Sequence, residues 1–172
     1  MRELTQNFGC NGLVEHIYLR SARSMPATAV TAARAEPGRG LIGDRRSLSV
    51  SVGEVAWKRE VTLFQAEHLP TIGAWLGVPP IDAGRLRRNI IVSGINLISM
   101  RSLWKDISLQ WRIGEEVVIE ITGSCDPCSR MESELGHAGY NAMRSHGGVT
   151  ARVLVGGTIR IADSVRLHVP SV

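Results

Sequence analysis

Cysteine is scarce in this sequence and its number is odd: Cys10, Cys125 and Cys128 are all there are. Three thiols do not make a disulfide framework, and free thiols belong to a reducing compartment, so a cytoplasmic location is expected. Lysine is scarcer still. Of 20 basic residues only Lys58 and Lys105 are lysines, and the rest are arginines, whose planar, permanent charge suits phosphate and carboxylate. A GC-rich coding bias explains such a skew equally well. Aromatic residues make up 5% of the chain, too few for a stacking platform on single-stranded nucleic acid. A basic binding barrel is therefore the weakest of the function classes considered, although the net charge of +4 permits an acidic partner. No apolar run approaches the roughly 18 residues that span a bilayer, so no membrane association is expected. The start, Met1-Arg2-Glu3-Leu4-Thr5-Gln6-Asn7, turns polar at once and does not have the pattern of a secretory signal.

What remains is a chain of 172 residues, 44% hydrophobic and 21% charged, which is the composition of one globular domain over residues 1–172. Strand signals dominate it. Residues 13–19 and 28–33 alternate at strand spacing, residues 60–64 read as a short buried strand, and Ile90-Ile91-Val92 is an apolar run of core-strand length. Residues 109–112 and 116–121 read as two strands around a turn at Ile113-Gly114. The chain closes with strands at 149–155, 158–161 and 165–169, with Gly156-Gly157 as a hairpin turn. Glycine and proline make residues 36–43 a loop. A helix is predicted over 65–76, with Pro70 in its first turn and Gly77 ending it, and two short ones over 128–135 and 140–145. Many short strands with few short helices predict a mainly β fold, a closed or nearly closed barrel. The four tryptophans, Trp57, Trp75, Trp104 and Trp111, are read as packing residues.

Three clusters carry the chemistry. In Arg85-Leu86-Arg87-Arg88-Asn89 the alternate residues Arg85, Arg87 and Asn89 share one side of an extended chain, which places two guanidiniums and an amide where a phosphate would bind. A basic, solvated edge strand is the other reading. In Cys125-Asp126-Pro127-Cys128-Ser129-Arg130, Cys128 stands where a helix begins. Unpaired amides and Arg130 favour its thiolate, the form that attacks or binds metal. The spacing also suits half a zinc site, a redox dithiol, or two inert core cysteines, and His137 and His146 have no partner at metal spacing. The pair Gly147-Gly148 offers backbone amides to an anion, or simply leads a loop into a strand. Gly43-Asp44-Arg45 adds a carboxylate that either caps a turn or meets a ligand.

Taken in order, Gly43-Asp44-Arg45, Arg85-x-Arg87-Arg88-Asn89-Ile90-x-Val92-Ser93-Gly94, Gly114, Cys125-x-x-Cys128, Gly147-Gly148 and Gly157-x-Ile159-x-x-x-Asp163-x-Val165 resemble the MOSC domain. That family is named for the C-terminal domain of molybdenum cofactor sulfurases. The likeness runs from about Leu13 to Leu167 and implies a standalone bacterial-type member with a mostly-β barrel. It further implies a molybdenum cofactor, a pterin dithiolene with a terminal phosphate. By position Cys128 corresponds to the metal-ligating, catalytic cysteine of amidoxime-reducing members, and Arg87, Asn89 and Arg85 to phosphate contacts. Asp126 stands near the cofactor in this correspondence, and Asp44 and Arg45 complete the implied binding set. The implied activity is an oxidoreductase acting on N-hydroxylated or N-oxide compounds with a separate electron donor. The implied alternative is a persulfide sulfur carrier served by a cysteine desulfurase. Pyridoxal phosphate is not implied. Two features depart from the family pattern: Arg46 follows Asp44-Arg45 where many small members have histidine, and Cys125 is an extra thiol.

Overall fold

The computed structural model describes residues 2–23, 25–48 and 58–169. Its largest feature is a seven-strand barrel. Strand β1 (Gly12–Leu19) pairs with β6 (Ile90–Ser93), which lies parallel to β5 (Val61–Gln65). The circuit continues antiparallel through β9 (Val149–Val155), β8 (Val117–Ser124), β7 (Gln110–Ile113) and β11 (Ser164–His168), and β11 closes it on β1. Strand β2 (Thr28–Val30) lies on the free side of β1. A second sheet joins β3 (Ala32–Glu36), β4 (Gly40–Leu41) and β10 (Gly157–Arg160). Three short α-helices, α1 (His68–Leu76), α2 (Ser129–Leu135) and α3 (Gly139–Ala142), and four short 3-10 helices complete the described elements. None of the described helices is long and apolar enough to cross a membrane.

Side-chain alternation explains why the wall forms. Leu63 and Ile90 fill the barrel interior with Ile17, Trp111 and Ile119, while their neighbours Phe64 and Ile91 turn outward. Outward does not mean exposed there, because Ile72, Leu86, Met131 and Met143 cover them in a second cluster. Strands buried on both faces read as continuous apolar runs, and so Ile90, Ile91 and Val92 are all fully buried. Each such large side chain contributes about 1.5–3 kcal/mol by leaving water. In β1 a bulge between Val14 and His16 resets the alternation, which is how Val14 and Ile17 both face inward. Trp111 is wholly buried, and its indole N–H donates to the Met100 carbonyl at 2.8 Å.

Several expectations need correction. The run 28–33 is broken at Thr31 into β2 and β3, which belong to different sheets. Within the expected loop 36–43, Gly40 and Leu41 pair back onto Glu36 and Ala35 as β4. Gly156-Gly157 is no hairpin turn, because β9 stays in the barrel while β10 crosses to pair with β3. The helix expected over 65–76 starts only at His68, since Gln65 still belongs to β5; Pro70 does lie in its first turn, and Gly77 caps it. Of the tryptophans, Trp111 is core, Trp75 is 56% exposed, and Trp57 lies outside the described residues.

Candidate functional site

The hydrogen-bond registers set Ile17, Ile90, Leu63, Val149 and Ser124 level with one another around the barrel. Past that ring in one direction come Arg20 after β1, Asn89 and Arg88 before β6, and Thr62 in β5; past it in the other come Gly147-Gly148 before β9 and Cys125 after β8, and the Arg88 side chain joins the two groups into one rim. Over this rim lies a cavity of about 610 Å³. Among the described residues lining it, eight are arginines and only one, Asp44, is an acid. Cys125 and Cys128 both open onto it.

Arg88 is 8% exposed and is committed to the protein itself. Its Nε donates to the Gly147 carbonyl at 2.7 Å, Nη1 to Leu86 at 3.0 Å and Nη2 to Cys125 at 3.1 Å. One guanidinium thus ties the chain entering β6, the cysteine loop and the glycine loop together. The glycines are demanded by this contact. A Cβ on Gly147 would stand 2.2 Å from the Cys125 carbonyl oxygen, and one on Gly148, at φ +88°, 2.1 Å from that of Leu63. The Cys125 N–H donates to the Gly148 carbonyl at 2.8 Å, so the pair serves close packing of two loops.

Asn89 and Asp44 build a second brace. The Asn89 Oδ1 accepts from the Thr62 N–H and hydroxyl, and its Nδ2 donates to the Tyr18 carbonyl and to Asp44. The Asp44 carboxylate, 5% exposed, also accepts the Arg20 and Arg46 N–H groups, each at 3.0 Å. Asp44 therefore caps its turn and hangs it on the end of β1.

Other guanidinium groups are left over. Among the described residues, buried Nε and Nη1 of Arg20 and buried Nε of Arg45 have no hydrogen-bond partner. Burial, then the charges of Arg87 and Arg45, pull the Arg20 guanidinium below its ordinary range. Burial, then Arg130, does the same to Arg87. Arginine does not lose its proton, so the crowding, eased only in part by Asp44 beside Arg20 and Glu134 beside Arg87, stands as repulsion that an anion would cancel. Burial, with help from Asp82, pushes the Tyr18 hydroxyl up, and it stays protonated in the cavity wall.

Two of the expected site residues lie elsewhere, and the extended reading of residues 85–89 is wrong. Arg85 lies within a short 3-10 turn, Ala83–Leu86, and Arg87 follows with φ at +59°. That left-handed residue swings the chain, so Arg87, Arg88 and Asn89 face the cavity while Arg85 lines a neighbouring one and donates to the Glu134 carbonyl. Asp126 is exposed on another side of its loop and lines a different small cavity with Arg101 and Gly147. Cys128, Arg87, Asn89, Asp44 and Arg45 are brought together. Sequence reasoning missed Arg20, because one arginine at the end of a strand has no motif around it.

The residue 41–166 segment matches the MOSC domain model, most of the chain and the whole rim after β1. The chain belongs to the MOSC domain family. Solved MOSC-like structures share its fold. YuaD from Bacillus subtilis superposes with a TM-score of 0.73 at 19% identity, covering 94% of this chain and 98% of that one. YiiM from Geobacillus stearothermophilus gives 0.68 at 15% identity, covering 92% and 75%, and YiiM from Escherichia coli 0.65 at 15%, covering 94% and 71%. None of the curated protein sequences compared with the chain matches it.

Behind the glycine loop of this MOSC domain, His146 meets His68, their Nδ1 and Nε2 atoms 3.5 Å apart, with Trp75 against His146. Sequence spacing gave His146 no partner, whereas the fold supplies one 78 residues away. Burial, then the His146 charge, lowers the His68 pKa. Below about pH 6.5 the unfolded chain takes up this proton while the folded one resists it. Stability should therefore fall as pH drops from there and level off below the lowered folded value. Unfolding midpoints measured between pH 7.5 and 5 test this, and His68→Gln should flatten the slope; an unchanged slope would contradict it.

Proposed function

We propose that the cavity holds a molybdenum cofactor and that the loaded protein is the reductase component for N-hydroxylated or N-oxide compounds. One observation carries this reading: an exposed thiol shares a cavity with buried guanidinium nitrogens that no group among the described residues satisfies. The donor types fit a pterin dithiolene phosphate. The dithiolene brings its own sulfurs, so a single protein thiolate, that of Cys128, completes a soft donor set. No cluster of three or more His, Cys, Asp or Glu suited to a metal occurs among the described residues, and such a cofactor needs none. Arg20, Arg45 and Arg87 would hold the phosphate through charge-assisted bonds, with Asn89 and Asp44 keeping their loops in place. Bound there, the cofactor supplies two-electron removal of oxygen from nitrogen. Tyr18 presents a protonated hydroxyl beside the cavity, a neutral donor for a polar substrate group. The electrons come from a separate donor protein.

Expression in a host that makes the cofactor, followed by metal analysis of the purified protein, tests this. Near-stoichiometric molybdenum is expected, falling by roughly tenfold or more in Cys128→Ala. Equal loading of both proteins rejects the assignment.

The presence of a second thiol, Cys125, on the same cavity favours an alternative in which Cys128 carries persulfide sulfur from a cysteine desulfurase. Cyanide-releasable sulfur that disappears in Cys128→Ser supports it, and sulfur that survives the substitution rejects it.

A further inference from the structure

Cys125 has no task in the cofactor reading, yet it faces the same cavity as Cys128. The two thiols differ in access. Cys125 is 4% exposed, whereas Cys128 is open to solvent. Only Asp126 and Pro127 separate them, and both ends of this short loop are tied down. The Cys125 backbone is held by Gly148 and Arg88, and the Cys128 carbonyl accepts the Met131 N–H at 2.8 Å. Arg88 feels the charge of either sulfur, so one buried cation serves both. The sequence counts against a redox dithiol for want of a βαβ context, and the fold has none here, since β8 and β9 pair antiparallel. A strand, β8, nonetheless leads into the pair and a helix, α2, follows it.

We propose that Cys125 and Cys128 form a redox-active dithiol whose oxidising substrate is a small hydroperoxide. The exposed Cys128 thiolate attacks a peroxide oxygen; an S–O bond forms, the O–O bond breaks, and the departing oxygen leaves as water or alcohol once protonated. The Cys125 thiolate then attacks the sulfenic sulfur, an S–S bond forms, and the hydroxyl leaves as water. The two thiols give up two electrons, and the peroxide receives them. A low-molecular-weight thiol restores the pair through two exchange steps. The division of labour follows from burial: the sulfur that solvent reaches meets the oxidant, and the shielded one resolves the product. While the disulfide stands, Cys128 has no thiolate to offer, so on the cofactor reading the metal would be held only by the reduced protein.

The test uses the full chain carrying Cys10→Ser, which removes the other free thiol. The protein is treated with limiting hydrogen peroxide, blocked with an alkylating agent and weighed intact. A loss of about 2 Da without alkylation is expected, reversed by dithiothreitol. Cys125→Ala, given excess peroxide, should instead gain about 32 Da as a second equivalent carries the sulfenic acid to sulfinic acid. Cys128→Ser made in the Cys10→Ser parent, with Cys125 intact, should slow thiol loss at least roughly tenfold, because the remaining sulfur is shielded. The proposal is overturned if the parent reaches the heavier product without the lighter one. It is also overturned if Cys128→Ser is oxidised as fast as the parent. A protein that forms the disulfide but never carries molybdenum overturns the cofactor reading alone.

Discussion

Arg88→Ala should lower the free energy of unfolding by about 3–5 kcal/mol, read from denaturant midpoints, because it leaves three carbonyls without a donor. The guanidinium is buried, so water reaches those oxygens only if the loops part. Arg88→Lys should recover less than half of the loss, since an ammonium cannot reproduce a planar fork spanning three acceptors. Cys125 should become accessible to thiol reagents in the same variant, because its carbonyl anchors the loop to Arg88. A stability within about 0.5 kcal/mol of the parent would show the brace to be dispensable.

The second large effect is on anion retention. Joint replacement Arg20→Gln and Arg45→Gln should weaken binding of the phosphate-bearing cofactor by about 10²- to 10⁴-fold, from two charge-assisted bonds of about 1.5–3 kcal/mol each. The same variant should be at least as stable as the parent when no anion is bound. Among the described residues Nε and Nη1 of Arg20 and Nε of Arg45 have no partner, and burial with neighbouring arginines already disfavours the Arg20 charge. Loss of affinity with no loss of stability marks groups kept for a ligand. Molybdenum content and denaturation midpoint, measured on one preparation, read both sides. A variant that retains the metal or unfolds early contradicts this role for the two residues.

The barrel was legible because alternation and apolar runs mark strands that bury one or both faces, as in residues 13–19 and 90–92. Pairing was less so. Gly156-Gly157 has hairpin composition, yet its flanking strands part, since β10 is complementary to β3 and not to β9. In the site, Cys128 and Arg87 were visible by type and spacing. Arg85 was misplaced because a 3-10 turn and one left-handed residue break the alternation assumed for an extended chain. Arg88 looked like one of three equivalent cations, and only its depth distinguishes it.

By itself the sequence determined the mainly β character, the family and the kinds of chemical group available: guanidinium, thiol and amide. These follow from local periodicity and residue type, which neighbours along the chain do not alter. Tertiary structure decided which of those groups serve the fold and which remain free. Arg88 and Arg20 are the same residue type, but one donates to three carbonyls and the other carries nitrogens with no partner among the described residues. That difference depends on where distant segments meet around the barrel rim, through the registers of seven strand pairs rather than any local pattern.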